Sequence, residues 1–206
     1  LLEYIHGRYV IERRTGVLCK RLAELLPAGA RVLDVGCGDG QVSKRIMQRR
    51  SDVDIQGIDV VIRDCVQIPV KEFDGRVIPY DKGTFDAVMF ADVLHHTENP
   101  MGLLQEAVRI TRHAVLIKDH LCEGRIGFAT LRIMDQVGNR RFGIALPYNF
   151  WSRRQWLDAI DQLGLRISVW TQHLGLYPVP ANWIFERSLH FIARLELDGK
   201  RMRTTP

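Results

Sequence analysis

Asp34, Gly36, Gly38 and Gly40 stand as D-x-G-x-G-x-G between an apolar run, Val32-Leu33-Asp34-Val35, and a segment with helical spacing. Glycines so placed let the chain turn tightly and let a ligand come close to the main chain. A helix starting behind such a turn presents N–H groups that its own ladder leaves unused. Roughly twenty residues on, Asp59 falls near the end of a second apolar run, Ile55–Val60, where open α/β sheets keep a carboxylate for ribose hydroxyls. The pattern predicts a ligand that contains a nucleoside. A dinucleotide fingerprint needs a further glycine in G-x-G-x-x-G. Gln41 holds that position here, and Asp34 beside the turn would repel a pyrophosphate. An acid there suits a cationic group such as an ammonium. A glycine turn with no ligand is the plainer alternative.

The elements that must position these residues alternate. Residues 4–26 read as an amphipathic helix with Ile11, Leu18, Leu22 and Leu25 on one face, stopped by Pro27 and Gly29. Short apolar strands are predicted at 32–35, 55–60, 85–90 and 114–117, with helices from Gln41 to Arg50 and after Asn99-Pro100, a cap and first-turn pair. Leu104, Ala107 and Val108 are expected to face the core. Continuous apolar strands separated by helices argue a parallel sheet covered on both faces. The rhythm breaks at 121–151, which holds a helix marked by Ile126, Thr130, Ile133, Met134 and Val137, then a loop of Arg and aromatics. Ser152 with Gln155 makes a capping box for another helix, whose apolar face is Trp156, Leu157, Ile160 and Leu163. Late strands follow near 166–171 and 190–197, the last alternating in the antiparallel manner. The predicted organisation is one domain: a leading helix (1–30), a cofactor half (31–120), an insertion (121–151) serving as lid or acceptor site, and a C-terminal helix with strands (152–206).

Composition limits the rest. The 206 residues carry 29 Lys+Arg and 24 Asp+Glu, a net +5, and 46% hydrophobic residues, which fits a soluble globular chain and excludes a disordered or collagen-like one. No apolar run is long enough to span a membrane, and no basic-then-apolar leader follows Leu1, so no signal peptide is expected within the sequence and a cytoplasmic location is the natural expectation. The four cysteines are scattered with no C-x-x-C pair, so neither a disulfide framework nor a metal site is expected. Lys44, Arg45, Arg49 and Arg50 form a basic cluster that reads as a solvated helix end, with a binding patch as the alternative.

The motifs VLDVGCGDG (32–40), GID (57–59), FDG (73–75) and DKGTFDAVMFADVLHHTENP (81–100) resemble those of the class I S-adenosylmethionine-dependent methyltransferases, of the type 11 group. The likeness covers about 31–119 and, more loosely, 152–197. It implies a Rossmann-like, doubly wound α/β sheet of seven strands, mostly parallel with an antiparallel last strand and helices on both faces. It also implies S-adenosylmethionine as cofactor and S-adenosylhomocysteine as product. Carried over by position, Asp34, Gly36, Cys37, Gly38 and Gly40 would line the methionine portion. Asp59 would hold the ribose, Val60 would lie against the adenine, and Asp74 with Gly75 would meet its amino edge. Ala91, Asp92 and Val93 would floor the sulfonium. One departure is plain: Asp59 and Asp74 are too close for the usual intervening helix, and Pro69 lies between them, so a short or missing helix is expected. Asp74 has a second role open to it, as a turn acid in Phe73-Asp74-Gly75-Arg76.

A sulfonium methyl is already activated, so the protein must place a nucleophile in line and exclude water. A hydroxyl acceptor would also need a base. His95 and His96 follow the fourth predicted strand, and Asp119 with His120 follow the fifth. His96 and His120 are the candidate bases, with hydrogen-bonded loop histidines as the bland alternative. In the insertion, Arg140, Arg141, Tyr148 and Trp151 are candidate acceptor contacts, or else part of its packing. A small-molecule or lipid-like acceptor is expected. RNA or protein methylation is an alternative, although Phe90-Ala91-Asp92-Val93 is not an amine-positioning motif and a nucleic-acid partner is not favoured. A non-catalytic binding module and a dehydrogenase are the remaining alternatives.

Overall fold

The computed structural model describes residues 2–139 and 147–197, with the side chains of 9, 10, 12–137 and 147–197. Helix α1 (Leu2–Leu25) leads into β1 (Arg31–Val35), α2 (Gln41–Arg49), β2 (Asp54–Asp59) and β3 (Val70–Glu72). Then come β4 (Phe85–Ala91), a 3-10 turn (Leu94–His96), α3 (Pro100–Ile110), β5 (Thr111–His120) and α4 (Gly124–Asn139). The chain continues through α5 (Arg153–Gln162), β6 (Leu165–Thr171), α6 (Asn182–Phe185) and β7 (His190–Leu197). The strands make one seven-stranded sheet in the order β3-β2-β1-β4-β5-β7-β6. Pairings among β1 to β5 are parallel, and β7 runs antiparallel to both β5 and β6. This is the doubly wound sheet expected, with the antiparallel strand slotted in beside the edge.

Both faces are covered because the central strands are apolar on both sides. Along β4, Val88 and Phe90 join Leu33, Val115, Leu104 and Trp156 on one face, while Ala87 and Met89 join Val32, Leu116, Leu22 and Ile46 on the other. That period of two places α3 and α5 on one side and α1 with α2 on the other. Full burial of each such side chain contributes about 1.5–3 kcal/mol. The caps form as the residue types dictate. Asn99 Oδ1 accepts from Gly102 N at 3.0 Å with Pro100 in the first turn, and Ser152 and Gln155 exchange both bonds of the capping box. The basic cluster is a helix end: Arg45 pairs with Glu12, and Arg50 donates to Ala23, Leu26 and Pro27 carbonyls at the end of α1.

Several elements differ from expectation. No helix forms between β2 and β3, as Pro69 and the short spacing predicted. The strand β3 itself was not foreseen, being three residues with no apolar alternation. β5 is ten residues long and runs on through Lys118, Asp119 and His120, which are buried and paired with β7, rather than ending before them in a loop. Leu157 is exposed, and Ala159 takes its place on the buried face of α5. On α4, Ile126, Ile133 and Val137 face outward, while Leu131 packs with Phe150 and Leu189. Among the described residues no helix is long and apolar enough to cross a membrane.

Candidate functional site at the carboxyl ends of the parallel strands

The glycine turn links β1 to α2 and folds back onto β2. Gly36 N and Cys37 N donate to the Ile58 carbonyl at 2.8 and 3.2 Å, and Gly38 N donates to Asp59 Oδ2 at 2.7 Å. Gly36, Gly38 and Gly40 all have left-handed backbones, at φ 71°, 61° and 76°. The space beside them is occupied: a Cβ on Gly36 would lie 2.7 Å from both Val93 methyls, and one on Gly40 would lie 2.5 Å from Ile68 Cγ1. Gln41 N, the first N–H of α2, donates to Asp39 Oδ1 at 3.0 Å. This takes the first of the N–H groups expected to be free at the helix start. At least four N–H groups of the turn are committed within the protein, which leaves a poor cradle for a pyrophosphate and keeps the acids as its chief polar feature.

Asp34 is buried under this turn, where its Oδ2 accepts from Ser43 Oγ at 2.6 Å. Burial raises its pKa to about 7, against the pull of Ser43 and with the nearby Asp59 adding to the rise. Cys37 covers Gly57, whose added Cβ would stand 2.3 Å from the sulfur, and burial pushes its thiol well up. It is a packing residue with no thiolate character. Asp59 ends β2 half-exposed; its other oxygen accepts from Val61 N at 3.3 Å. Val60 is exposed and lies beside Gly75, 3.0 Å from where a Cβ would be. Asp74 is exposed and folds its own turn, Oδ1 accepting from Arg76 N and Val77 N at 2.8 Å each. The structure thus joins Asp34, Cys37, the glycines and Asp59 in one turn, with Val60 and Gly75 adjacent.

The ends of β4, β5 and β7 build a second, charged region. Asp92 follows β4 in the left-handed backbone region at φ 61°, which asparagine and aspartate tolerate better than other side chains. Its carboxylate is gripped by Lys118 of β5 and by Arg14 of α1, the latter at 2.6 Å, with His120 Nε2 at 3.6 Å. Burial opposes its ionisation, but Lys118 and Arg14 overcome that and hold it well below the usual carboxylate range. Lys118 is fully buried, and burial brings it down to about 8 despite Asp92. His190 of β7 lies beyond, its Nε2 3.0 Å from the Phe185 carbonyl and its Nδ1 3.5 Å from Lys118 Nζ. Burial and then Lys118 push both His120 and His190 well down, so both are neutral. His120 Nδ1 is buried with no hydrogen-bond partner.

His95 is buried between carboxylates. Its Nδ1 is 2.6 Å from Asp119 Oδ1, and Asp119 Oδ2 accepts from Leu94 N at 3.0 Å. Burial disfavours the charged ring, yet Asp119 outweighs it and raises His95 to about 9. His96 is lowered instead, by burial and by His95. Asp135 of α4 reaches both rings from the insertion. The insertion is tied down further by Asn149, which donates to the His95 and Thr97 carbonyls at 3.1 and 2.6 Å. Trp151 packs edge-on against Trp156 at 4.8 Å, and Tyr148 lies under Arg132 near Phe150. Arg140 and Arg141 lie outside the described residues. Arg14, Lys118, Asp135 and His190 were not singled out from the sequence. The one local signal was a lysine closing an apolar run, Ala114-Val115-Leu116-Ile117-Lys118.

Fold and site together define a class I S-adenosylmethionine-dependent methyltransferase fold. Residues 18–155 match the family described as "Methionine biosynthesis protein MetW", and the chain belongs to that family. It is similar to 27-O-demethylrifamycin SV methyltransferase of Amycolatopsis mediterranei, 32% identical over a 131-residue alignment that covers 53% of this chain and 48% of that protein. It is also similar to the bifunctional methionine biosynthesis protein MetXA/MetW of Rhodopirellula baltica, 31% identical over a 111-residue alignment that covers 46% of this chain and 18% of that one. The chain therefore matches about half of the first relative and under a fifth of the second. Among solved structures, a SAM-dependent methyltransferase from Thermotoga maritima, described as a possible histamine N-methyltransferase, shares the fold with TM-score 0.67 and 15% identity over 95% of both chains.

Proposed function

We infer that this chain binds S-adenosylmethionine and transfers its methyl group to a small-molecule or lipid-like acceptor, as the type 11 likeness of its motifs suggests. The observation that carries this is the Gly36–Gly40 turn, where the N–H groups of Gly36, Cys37, Gly38 and Gly40 are committed to Ile58, Asp59 and Cys37 oxygens while carboxylates lie in and under it. Such a turn suits a nucleoside with a cationic tail and withholds the donors that a pyrophosphate needs. The cofactor supplies a methyl already activated by its sulfonium. The protein's part is to bind, orient and exclude water. Asp59 keeps acceptor positions for ribose hydroxyls beyond its two main-chain bonds. Val60 and Gly75 flank the adenine, with Asp74 at its amino edge. Gly36, Cys37, Gly38 and Gly40 pass close to the methionine portion, and Asp34 acts on it from beneath the turn. Ala91, Asp92 and Val93 form the floor, with Asp92 neutralised from behind by Lys118 and Arg14. For a hydroxyl acceptor, neutral His120 offers Nδ1 as base, with His96 as the second candidate. Arg140, Arg141, Tyr148 and Trp151 contact the acceptor from the insertion.

Titration calorimetry with S-adenosylhomocysteine tests the cofactor. Saturable binding is expected, weakened at least about tenfold by Asp59→Ala, the loss of roughly 1.4 kcal/mol. Tighter binding of NADH would overturn the assignment. Cell extract incubated with labelled methyl donor should show label in the metabolite or lipid fraction, and label in RNA or protein alone would overturn the acceptor class. A competing function, a cofactor-binding module without catalysis, draws support from the closure of Asp92 by two cations. Binding with no label transferred to any fraction would favour it.

A further inference from the structure

We propose that His95, His96 and Asp135 form a binding site for one divalent transition-metal ion of the zinc or cobalt type. The two imidazoles are neighbours on the 3-10 turn after β4, and the carboxylate comes from α4 in the insertion. Asp135 Oδ1 is 3.3 Å from His96 Nε2 and 3.6 Å from His95 Nε2. Direct charge-assisted hydrogen bonds would draw these atoms in to about 2.7–2.9 Å. Two ligands of one zinc ion, each about 2.0–2.1 Å from it at a tetrahedral angle, stand ~3.3 Å apart. Both separations lie near that spacing, and the three ligand atoms all fall within 4.8 Å of one another.

A neighbouring trio, His95, Asp119 and His120, behaves in the opposite way. Asp119 Oδ1 is only 2.6 Å from His95 Nδ1, closer than two ligands of one ion stand and right for a hydrogen bond. Asp119 is itself held by Leu94 N and by His120 N. It fixes the His95 ring with Nε2 toward Asp135, which is how an outer carboxylate orients an imidazole that ligates a metal. Phe150 stacks on the same ring at 5.3 Å. The His95 and Asp135 side chains are 2% and 3% exposed and His96 is 15% exposed, so the ion has an approach on the His96 side. Two imidazoles and one carboxylate favour zinc, cobalt or nickel over magnesium or calcium, which prefer all-oxygen shells. Three protein ligands leave a position for water, the pattern of an open site. The site needs neither the cofactor nor the acceptor assigned above.

The test uses tag-free, chelator-treated protein and two probes. Zinc titrated by calorimetry should bind one equivalent. His96→Ala should abolish that stoichiometric binding, Asp119→Asn should weaken it about 10–100-fold, and exposed His113→Ala should leave it unchanged. Cobalt(II) added to the wild-type chain should shift the imidazole proton resonances of His95 and His96, a readout that requires no variant to fold. Absence of stoichiometric zinc binding by the wild type, or cobalt shifts confined to other histidines, would overturn the site. Either result would leave His95, His96 and Asp135 as ion pairs that dock the insertion.

Discussion

The two halves of the strand-end site are held together in different ways. The Gly36–Gly40 turn is a main-chain object: its hydrogen bonds run from backbone N–H groups to β2 and Asp59, and its shape depends on side chains being absent. The region around Asp92 is a side-chain object: Arg14, Lys118, His120 and Asp135 converge on it and on His95 from α1, β5 and α4. A main-chain site is written in a few adjacent residues and is damaged by adding atoms. A side-chain site is assembled from distant segments and is damaged by removing a charge.

That contrast can be broken most sharply at Lys118. Lys118→Ala removes a buried partner of Asp92, and unfolding in urea should show a loss of about 3–5 kcal/mol. A loss under about 1 kcal/mol would mean that Arg14 alone neutralises Asp92. At the turn, Gly36→Ala should cost about 1–2 kcal/mol for the left-handed backbone alone, and more as Val93 is displaced. Binding of S-adenosylhomocysteine should fall with it; unchanged affinity would show that the close approach to Val93 does not shape the pocket.

Asp34 gives a pH-dependent test. Burial raises its folded pKa to about 7, well above the usual carboxylate range, so the folded state holds this proton more tightly than the unfolded state. Its contribution is therefore greatest in acid and is lost as pH rises from about 4 to 7. Asp34→Asn should be more stable than the wild type near pH 8, with the gap shrinking as pH falls toward about 4. A difference that does not change with pH would mean that Asp34 stays ionised throughout. The smallest effect belongs to the capping box: Ser152→Ala should cost about 1 kcal/mol, read as a modest fall in melting temperature with cofactor binding intact.

Much of the first half was legible. Asp34, the three glycines and Asp59 lie within 26 residues, and each has a local physical reason for its type. The Asn99 and Ser152 caps were likewise readable, because a cap satisfies N–H groups a few positions away. Of the N–H groups expected to be open at the start of α2, that of Gln41 is taken by Asp39, two residues earlier. β3 escaped notice because a three-residue edge strand carries no period. The predicted fifth strand stops at Ile117, short of Lys118, Asp119 and His120, because a strand buried with its charges intact requires partners that no local pattern reveals.

Residue order alone was enough for the alternating sheet and helices, the antiparallel last strand and the acid-bearing glycine turn. These follow from hydrophobic period, turn chemistry and backbone sterics, which act over a few residues. The buried network did not follow from order. Arg14 reaches Asp92 across 78 positions, and Lys118 reaches it across 26. Charge pairs form wherever folding brings carboxylates and cations together in a medium that punishes leaving either one alone. That meeting is set by how α1, β5, β7 and α4 pack against the end of β4, so only the folded chain could show which of its ionisable residues surround the site.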